Sequence, residues 1–114
     1  AYPLAYAFQA PLRAVVENLH AGTLPVMGAF IPCSPPEFVL SAIKEAEDGR
    51  GWIVRGCNLI GAPLEVSLTP LLPFSTAALA SLSEEPHSPL APGADGVLRF
   101  PARAHEIVTL RRGK

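Results

Sequence analysis

The stretch of sequence that decides the fold runs from residue 38 to residue 58 and reads FVLSAIKEAEDGRGWIVRGCN. Residues 38–43 and 52–57 alternate between two sets of side chains, as β-strands do when their two faces meet different surroundings. Between them, the segment EDGRG (residues 47–51) contains Asp-Gly, which supplies the positive φ that a tight turn requires. We therefore predict an antiparallel hairpin, with Trp52 in the core beside the turn.

The second half of the chain predicts further short strands separated by turns. Residues 64–69 alternate between apolar and polar side chains, as in a half-exposed strand. Ser75–Ser83 resembles a helix by its three alanines but a strand by its position among strands, and we predict a strand. Glu84–Gly96 is rich in proline and glycine and predicts a connection. The last two predicted strands are Val97–Phe100 and His105–Leu110.

The N-terminal third predicts one short helix between two strands. Leu12, Val15, Val16 and Leu19 have the i, i+3, i+4, i+7 spacing of one helical face, which predicts a helix over Leu12–His20. The flanking strands are predicted at Leu4–Phe8 and Val26–Ile31. Seven or eight short strands with one short helix near the N-terminus predict an all-β fold, an antiparallel β-sandwich.

Length and composition bound the class of protein. The chain has 114 residues, of which 49% are hydrophobic and 17% charged, with a formal net charge of −1. This composition excludes a disordered chain and gives no electrostatic footprint for nucleic acid or an anionic membrane. Prolines interrupt every apolar run before the roughly 18 residues of a membrane span. We expect one domain, residues 1–114, with roughly 6,000 Å² of surface and about two thirds of the unfolded surface buried.

The mean hydropathy of +0.30 is high for so small a sandwich. Monomeric proteins rarely leave apolar patches of more than a few hundred Å² exposed unless the patch is an interface. We therefore predict an exposed apolar patch contributed by Tyr2–Phe8 and Leu12–Leu19, which a partner covers. An isolated chain would then associate weakly with itself.

The residues that could carry chemistry are few and scattered. None of the three histidines begins a zinc-binding unit, and no serine lies in a nucleophile elbow. The acidic groups near Glu47 and Glu84 lie in polar turns, where we expect them to be solvated rather than paired for glycoside hydrolysis. Cys33 and Cys57 are expected to be reduced, and with no secretory signal at the N-terminus we expect a cytoplasmic location. We predict no catalytic, cofactor-binding or metal-binding residues in this chain.

Three segments in order resemble one known family. Residues 39–58 closely resemble the "vlsa-K-x-aEDG-x-G-iivR-x-x-N" segment in the C-terminal β-region of the family 38 glycoside hydrolases, the α-mannosidases. Glu84-Glu85 resembles a later "l-x-E" turn, and residues 101–110 resemble the terminal "p-x-e-I-x-T-l" strand. Gly56-Cys57 departs from the pattern, which usually has bulkier residues there. The positions that carry the resemblance, as structural or interface residues, are Lys44, Glu47, Asp48, Gly49, Gly51, Arg55, Asn58, Glu85, Glu106 and Thr109.

The resemblance implies a role for the chain as well as a fold. The family cleaves α-mannosides with retention, and its zinc ligands and aspartate nucleophile lie in an N-terminal catalytic domain. The resemblance therefore implies that this chain is a non-catalytic C-terminal β-sandwich of a longer polypeptide, which packs against that catalytic domain and supports it. In a further version of this hypothesis, the loop at residues 47–51 projects toward the catalytic domain and touches a mannoside. The alternative is an independent carbohydrate-binding or adhesion module, which usually needs exposed aromatic side chains.

Two motif residues also have an expected structural role. Arg55 lies within an apolar strand, so we expect it to pair with a carboxylate such as Glu47 or Glu106, because an unpaired buried guanidinium is costly. Asn58 is expected to take a left-handed or side-chain-capped conformation where its strand ends.

Overall fold

Two antiparallel sheets form the molecule in the computed structural model, which describes residues 2–71 and 74–113. One sheet has five strands in the order β2-β3-β8-β5-β6, and the other has three in the order β1-β4-β7. The predicted antiparallel β-sandwich is confirmed, with eight strands and one short N-terminal helix within the described residues. The elements are α1 Tyr2–Gln9, β1 Cys33–Ser34, β2 Phe38–Glu45, β3 Trp52–Asn58, β4 Leu64–Leu68, β5 Ala77–Ala80, β6 Pro86–Pro89, β7 Leu98–Ala102 and β8 Ile107–Arg112.

The predicted hairpin is confirmed by the pairing of β2 with β3. The antiparallel register runs from Phe38 opposite Asn58 to Glu45 opposite Trp52, and it shifts once at a bulge near residue 41. Gly49 has a φ of 70° and Gly51 a φ of 149°, so both turn positions use backbone conformations that side chains disfavour. The turn therefore forms where the Asp-Gly sequence predicts it.

The main core lies between the two sheets. The five-stranded sheet contributes Val54 and Leu110, which pack with Val66 and Phe100 of the three-stranded sheet. A Cβ atom on Gly56 would lie 2.4 Å from the Phe38 ring, so only glycine leaves room for that aromatic residue. The departure at Gly56 from the family pattern thus accommodates Phe38, whose ring meets Phe100 edge-on at 5.8 Å between centroids.

The opposite face of the five-stranded sheet, here called the outer face, carries polar residues around the buried side chain of Ile53. Because side chains alternate along a strand and Val54 faces the core, Ile53 and Arg55 point to the outer face. Ile53 is nevertheless fully buried. The connection between β5 and β6 lies over it, since the Leu82 carbonyl accepts a hydrogen bond from Arg55 at 3.0 Å and the Glu84 carbonyl accepts one from Arg111 at 3.2 Å.

The prediction that Trp52 is buried is wrong. Its side chain is 42% exposed and lines an open apolar groove of about 360 Å³ with Phe30, Ile43 and Arg112. Trp52 points to the core side of the sheet, but it lies at the turn end of β3, beyond the reach of the shorter three-stranded sheet. The groove is the uncovered end of the core.

The N-terminal predictions are also wrong in position. The helix forms at Tyr2–Gln9, where a strand was expected over Leu4–Phe8, and residues 11–30 contain neither the helix of Leu12–His20 nor the strand of Val26–Ile31. A short amphipathic helix is marginal in water unless its apolar face packs on another surface, and the apolar side chains of residues 12–19 are exposed. Both expected contributors to an apolar patch are exposed, and the total surface is 8282 Å² rather than the predicted roughly 6,000 Å².

The second half of the chain follows the sequence more closely. Strands form at 64–68 and within Ser75–Ser83, as predicted, while Glu84–Gly96 contains the unpredicted edge strand β6. Strand β6 contains two prolines, which cannot donate backbone hydrogen bonds and are confined to edge strands in sheets. Its proline content therefore predicted a connection rather than a strand. No helix in the described ranges is both long enough and apolar enough to span a bilayer.

Candidate functional site

A polar cleft of about 440 Å³ lies on the outer face, where the β2–β3 turn meets the β5–β6 connection. The hairpin supplies Glu47 and Asp48 from one side, and residues 83–86 line the other side. Arg111, near the end of β8, lies between them. The cleft therefore gathers side chains from three separate parts of the sequence; its four acidic residues lie within the segments that resemble the family pattern, and Arg111 follows directly after the last of them.

Glu84 joins the two turns. Its side chain is almost fully buried, and its carboxylate accepts hydrogen bonds from Lys44 Nζ at 2.7 Å and from the Glu47 amide at 2.8 Å. These donors lower the pKa of Glu84, with the Lys44 hydrogen bond as the largest cause, so the group is ionised at neutral pH. Its backbone φ of 71° is uncommon for a residue other than glycine. The left-handed residue thus turns its carboxylate back toward the hairpin.

Asp48 and Arg111 form the second link across the cleft. Arg111 Nη2 donates to Asp48 Oδ2, and Arg111 Nη1 donates to the Glu84 carbonyl at 3.2 Å. The other Asp48 oxygen accepts the amide of Arg50 at 3.0 Å, as Asp commonly does in a tight turn. The Arg111 hydrogen bond is the largest cause of the lowered pKa of Asp48. One guanidinium therefore holds both turns in place.

The expected pairing of Arg55 with a carboxylate is wrong. Arg55 Nε donates to Thr109 Oγ1 at 3.0 Å, and its other end donates to the Leu82 carbonyl. Thr109 lies directly opposite Arg55 in the β3–β8 register, so the hydroxyl is within reach before either acid. Glu47 instead pairs with Lys44, and Glu106 with Arg103.

Asn58 lies at the far end of β3 from the cleft and is fully buried. Its Nδ2 donates to the carbonyls of Ala62 at 2.7 Å and Arg103 at 2.9 Å, with a longer contact of 3.4 Å to Ala102, and its Oδ1 accepts the Ile60 amide at 3.0 Å. The side-chain-capped alternative for Asn58 is therefore the one observed. Asn58 ties the end of β3 to the β7–β8 turn.

Glu106 stabilises the β7–β8 turn beside Asn58. Its carboxylate accepts the Arg103 amide at 2.6 Å and the Arg103 guanidinium at 3.0 Å. The Glu106 backbone carbonyl also accepts the Asn58 amide at 3.0 Å. Asn58 and Glu106 thus form a second motif cluster, separate from the cleft.

The motif residues therefore divide between two places. Asn58 and Glu106 lie at the β7–β8 turn, and the other motif residues lie at or near the polar cleft, which Glu85 lines with an exposed side chain. The expectation that the acid at Glu84 is solvated is wrong, because its side chain is buried and paired, and nothing in the sequence singled out Arg111. The signal for Glu84 was present, because Leu82-Ser83-Glu84 has the l-x-E spacing of the family turn. The motif residues at or bordering the polar cleft are Lys44, Glu47, Asp48, Gly49, Gly51, Arg55, Glu85 and Thr109.

The chemistry open to the cleft is recognition. Its carboxylates Asp48 and Glu84 are held ionised, so they accept hydrogen bonds at neutral pH, while Arg111 donates them. Within residues 2–71 and 74–113, no three His, Cys, Asp or Glu side chains are grouped so as to hold a metal ion. Cys33 and Cys57 are free thiols, and burial raises the pKa of Cys33. A surface of fixed, paired charges suits contact with another polar surface.

Comparison with known proteins identifies the sandwich. Residues 37–110 match the family model described as the glycosyl hydrolases family 38 C-terminal beta sandwich domain. A search of curated proteins found no match, and neither did a search of solved structures. The match covers about two thirds of the chain, from β2 into β8, and includes the hairpin turn, the Asn58 cluster and every residue of the cleft except Arg111. The chain therefore belongs to the family of glycosyl hydrolase family 38 C-terminal β-sandwich domains.

Proposed function

We propose that this chain is the non-catalytic C-terminal β-sandwich of a zinc-dependent retaining α-mannosidase, and that it packs against the catalytic domain of the same polypeptide and supports it. The observation that carries the proposal is the family match over residues 37–110. In this proposal the zinc ligands and the nucleophile belong to the catalytic domain, the sandwich holds no cofactor, and the protein is cytoplasmic.

The geometry of the hairpin turn favours a role in supporting the catalytic domain. The turn is fixed at its base by Glu84 and Arg111, while Glu47 keeps a largely exposed carboxylate and Arg50 an exposed side chain. A turn that is held rigidly and ends in exposed charges is suited to fix a neighbouring loop in position. The same exposed charges would allow the turn to touch a mannoside bound in the catalytic domain.

The test requires the complete polypeptide whose gene includes this sequence. We expect the complete protein to hydrolyse an aryl α-mannoside and to contain zinc, and the isolated chain to do neither. A complete polypeptide without α-mannosidase activity, or an isolated chain that turns over the substrate, would refute the proposal.

A matched pair of variants separates support by the turn from general stability. Asp48 and Asp95 are both half-exposed and each is paired with an arginine, but only Asp48 lies in the cleft. In the complete enzyme, we expect Asp48→Asn to lower kcat/KM by about tenfold, a modest effect for a misplaced supporting element. Asp95→Asn should leave the kinetics unchanged. Equal effects of the two variants would contradict a role for the turn.

One observation favours the second candidate, an independent carbohydrate-binding module. Trp52 is half-exposed beside the apolar groove, and sugar-binding sites often use such aromatic residues for stacking. Trp52 is the only tryptophan of the chain, so a titration with methyl α-mannoside would change its fluorescence if a sugar stacked on it. Saturable quenching that Trp52→Leu abolishes would favour this candidate over the first.

A further inference from the structure

The largest unexplained feature of the molecule is its exposed apolar surface. Residues 2–30, here called the N-terminal arm, expose large apolar side chains along their whole length. The total surface of 8282 Å² exceeds by about 2,300 Å² the roughly 6,000 Å² expected of a compact chain of this mass. The most exposed side chains of the arm are Phe8, Leu12, Val15, Val16, Leu19, Val26 and Met27.

The apolar surface of the arm continues onto the sandwich. The Phe30 carbonyl accepts the amide of Leu71 at 2.9 Å, which attaches the end of the arm to the sandwich. Phe30 then lines the open groove with Ile43 and Trp52, all three of them substantially exposed. The exposed apolar side chains of the arm are therefore joined, through Phe30, to the apolar groove that Trp52 lines.

We infer that the N-terminal arm and the Trp52 groove together form one docking interface, and that its occupant is the domain that precedes the arm in the same polypeptide. The inference rests on the proposed function for the existence of that domain. The family match begins at residue 37, so the arm lies outside the sandwich unit, whose core is complete without it. The apolar side chains of the arm take no part in the core of the sandwich, so we expect them to pack against the preceding domain.

The area and charge of the surface favour this occupant over a second copy of the chain. A standard interface takes about 800 Å² from each partner, and the excess surface is well above that. The arm carries only Arg13 and Glu17 as fully charged side chains, so its partner must offer an extended apolar surface. The groove of a second copy, about 360 Å³, is at the small end of ligand-sized pockets, so it would leave most of the arm uncovered.

Docking also explains why residues 12–19 have the apolar spacing of a helix although they form none in the structure. Leu12, Val15, Val16 and Leu19 would lie on one face of a helix, with Arg13 and Glu17 one turn apart on another. A segment with this pattern folds when its apolar face meets a partner surface. Residues 12–19 therefore become helical in the complete protein.

Hydrogen–deuterium exchange of the complete polypeptide and of the isolated chain tests the inference. We expect amides in residues 11–30 to exchange at least about tenfold more slowly in the complete protein, because a docked helix protects them. Val16→Glu and Ile43→Glu should abolish this protection. Ile107→Glu is the matched control, since Ile43 and Ile107 are both 54% exposed strand residues but Ile107 lies on the outer face.

The outcomes separate this inference from the proposed function. An active α-mannosidase whose arm exchanges as fast as in the isolated chain would overturn the inference alone. A protected arm in a protein without α-mannosidase activity would leave the inference standing and refute the proposed function. Protection in the isolated chain that appears only in a dimer, or loss of protection in Ile107→Glu as well, would also overturn it.

Discussion

Asn58 offers the sharpest test of how the sandwich is held together. It is fully buried, and its amide group makes three hydrogen bonds of 2.7–3.0 Å to backbone atoms of two different turns. In Asn58→Ala, the Ile60 amide and the carbonyls of Ala62 and Arg103 lose their partner. A buried polar group without a partner retains its desolvation cost, so the substitution should lower the free energy of unfolding by more than the lost packing of the side chain alone.

The expected magnitude follows from those bonds. Each hydrogen bond contributes a net 0.5–1.5 kcal/mol or so, which gives about 2–4 kcal/mol for the three. Urea unfolding, followed by far-UV circular dichroism and by Trp52 fluorescence, measures the loss as a shift of the midpoint at constant slope. Asn18→Ala is the control, because Asn18 is exposed in the arm and should change stability by less than about 0.5 kcal/mol. A loss below about 1 kcal/mol in Asn58→Ala would refute the reasoning.

A second substitution at the same position tests the direction of the hydrogen bonds. Asn58→Asp would replace the donating Nδ2 with an oxygen facing two carbonyl oxygens, so the folded-state pKa of the new carboxyl should rise above its ordinary value. A raised pKa in the folded state means that the variant is most stable at acid pH and loses stability as the pH rises through that pKa. Stability of Asn58→Asp that is independent of pH between about 3 and 7 would show that the amide is not the donor assigned here.

Three further predictions concern the turn, the groove and the backbone. Hydrogen bonds hold the pKa of Glu84 below its ordinary 4.5, so its carboxylate stabilises the fold above that pH, and this contribution is lost as the pH falls. When the free energy of unfolding is measured against pH, Glu84→Gln should therefore lose less stability below about pH 5 than the unsubstituted protein does. Trp52→Ala should cost about 1–2 kcal/mol in urea unfolding because the side chain is half-exposed, against about 3–5 kcal/mol for the buried Phe100→Ala, and equal costs would contradict the exposure of Trp52. Gly51→Ala should cost about 2 kcal/mol or more, because its Cβ would lie 2.2 Å from a backbone oxygen, whereas Gly22→Ala has open space and should be neutral within about 0.5 kcal/mol.

The sequence predicted the hairpin and most strands because their determinants are local. Alternation places Val54 inside and Arg55 outside, and Asp48-Gly49 fixes where the chain reverses. These patterns act within a few residues, so they survive whatever the rest of the chain does. The edge strand β6 was missed because Pro86 and Pro89 occupy it, and it is recognised only from its pairing with β5.

The errors at Trp52 and in the arm have one physical cause. An apolar residue is buried only if another element covers it, and sequence periodicity does not state how far the opposite sheet extends. Trp52 faces inward but lies beyond the three-stranded sheet, and Leu12 to Leu19 have a helical pattern without a surface to pack on. For Trp52, periodicity therefore predicted correctly which face of the sheet the side chain is on, and predicted its burial incorrectly.

The polar cleft shows what the resemblance to the family can and cannot locate. The motif indicated Asp48 and Arg55, and the structure connects both to the β5–β6 connection, through Arg111 and through the Leu82 carbonyl. These contacts are internal to the sandwich, so the motif describes how the domain is built. Contact with another domain requires surface that the sandwich leaves free, and the exposed apolar surface lies chiefly in the arm, before the matched residues begin. In the proposed assembly, the apolar part of the interface therefore comes from residues 2–30 and the Trp52 groove, and the motif contributes only the exposed charges of the hairpin turn.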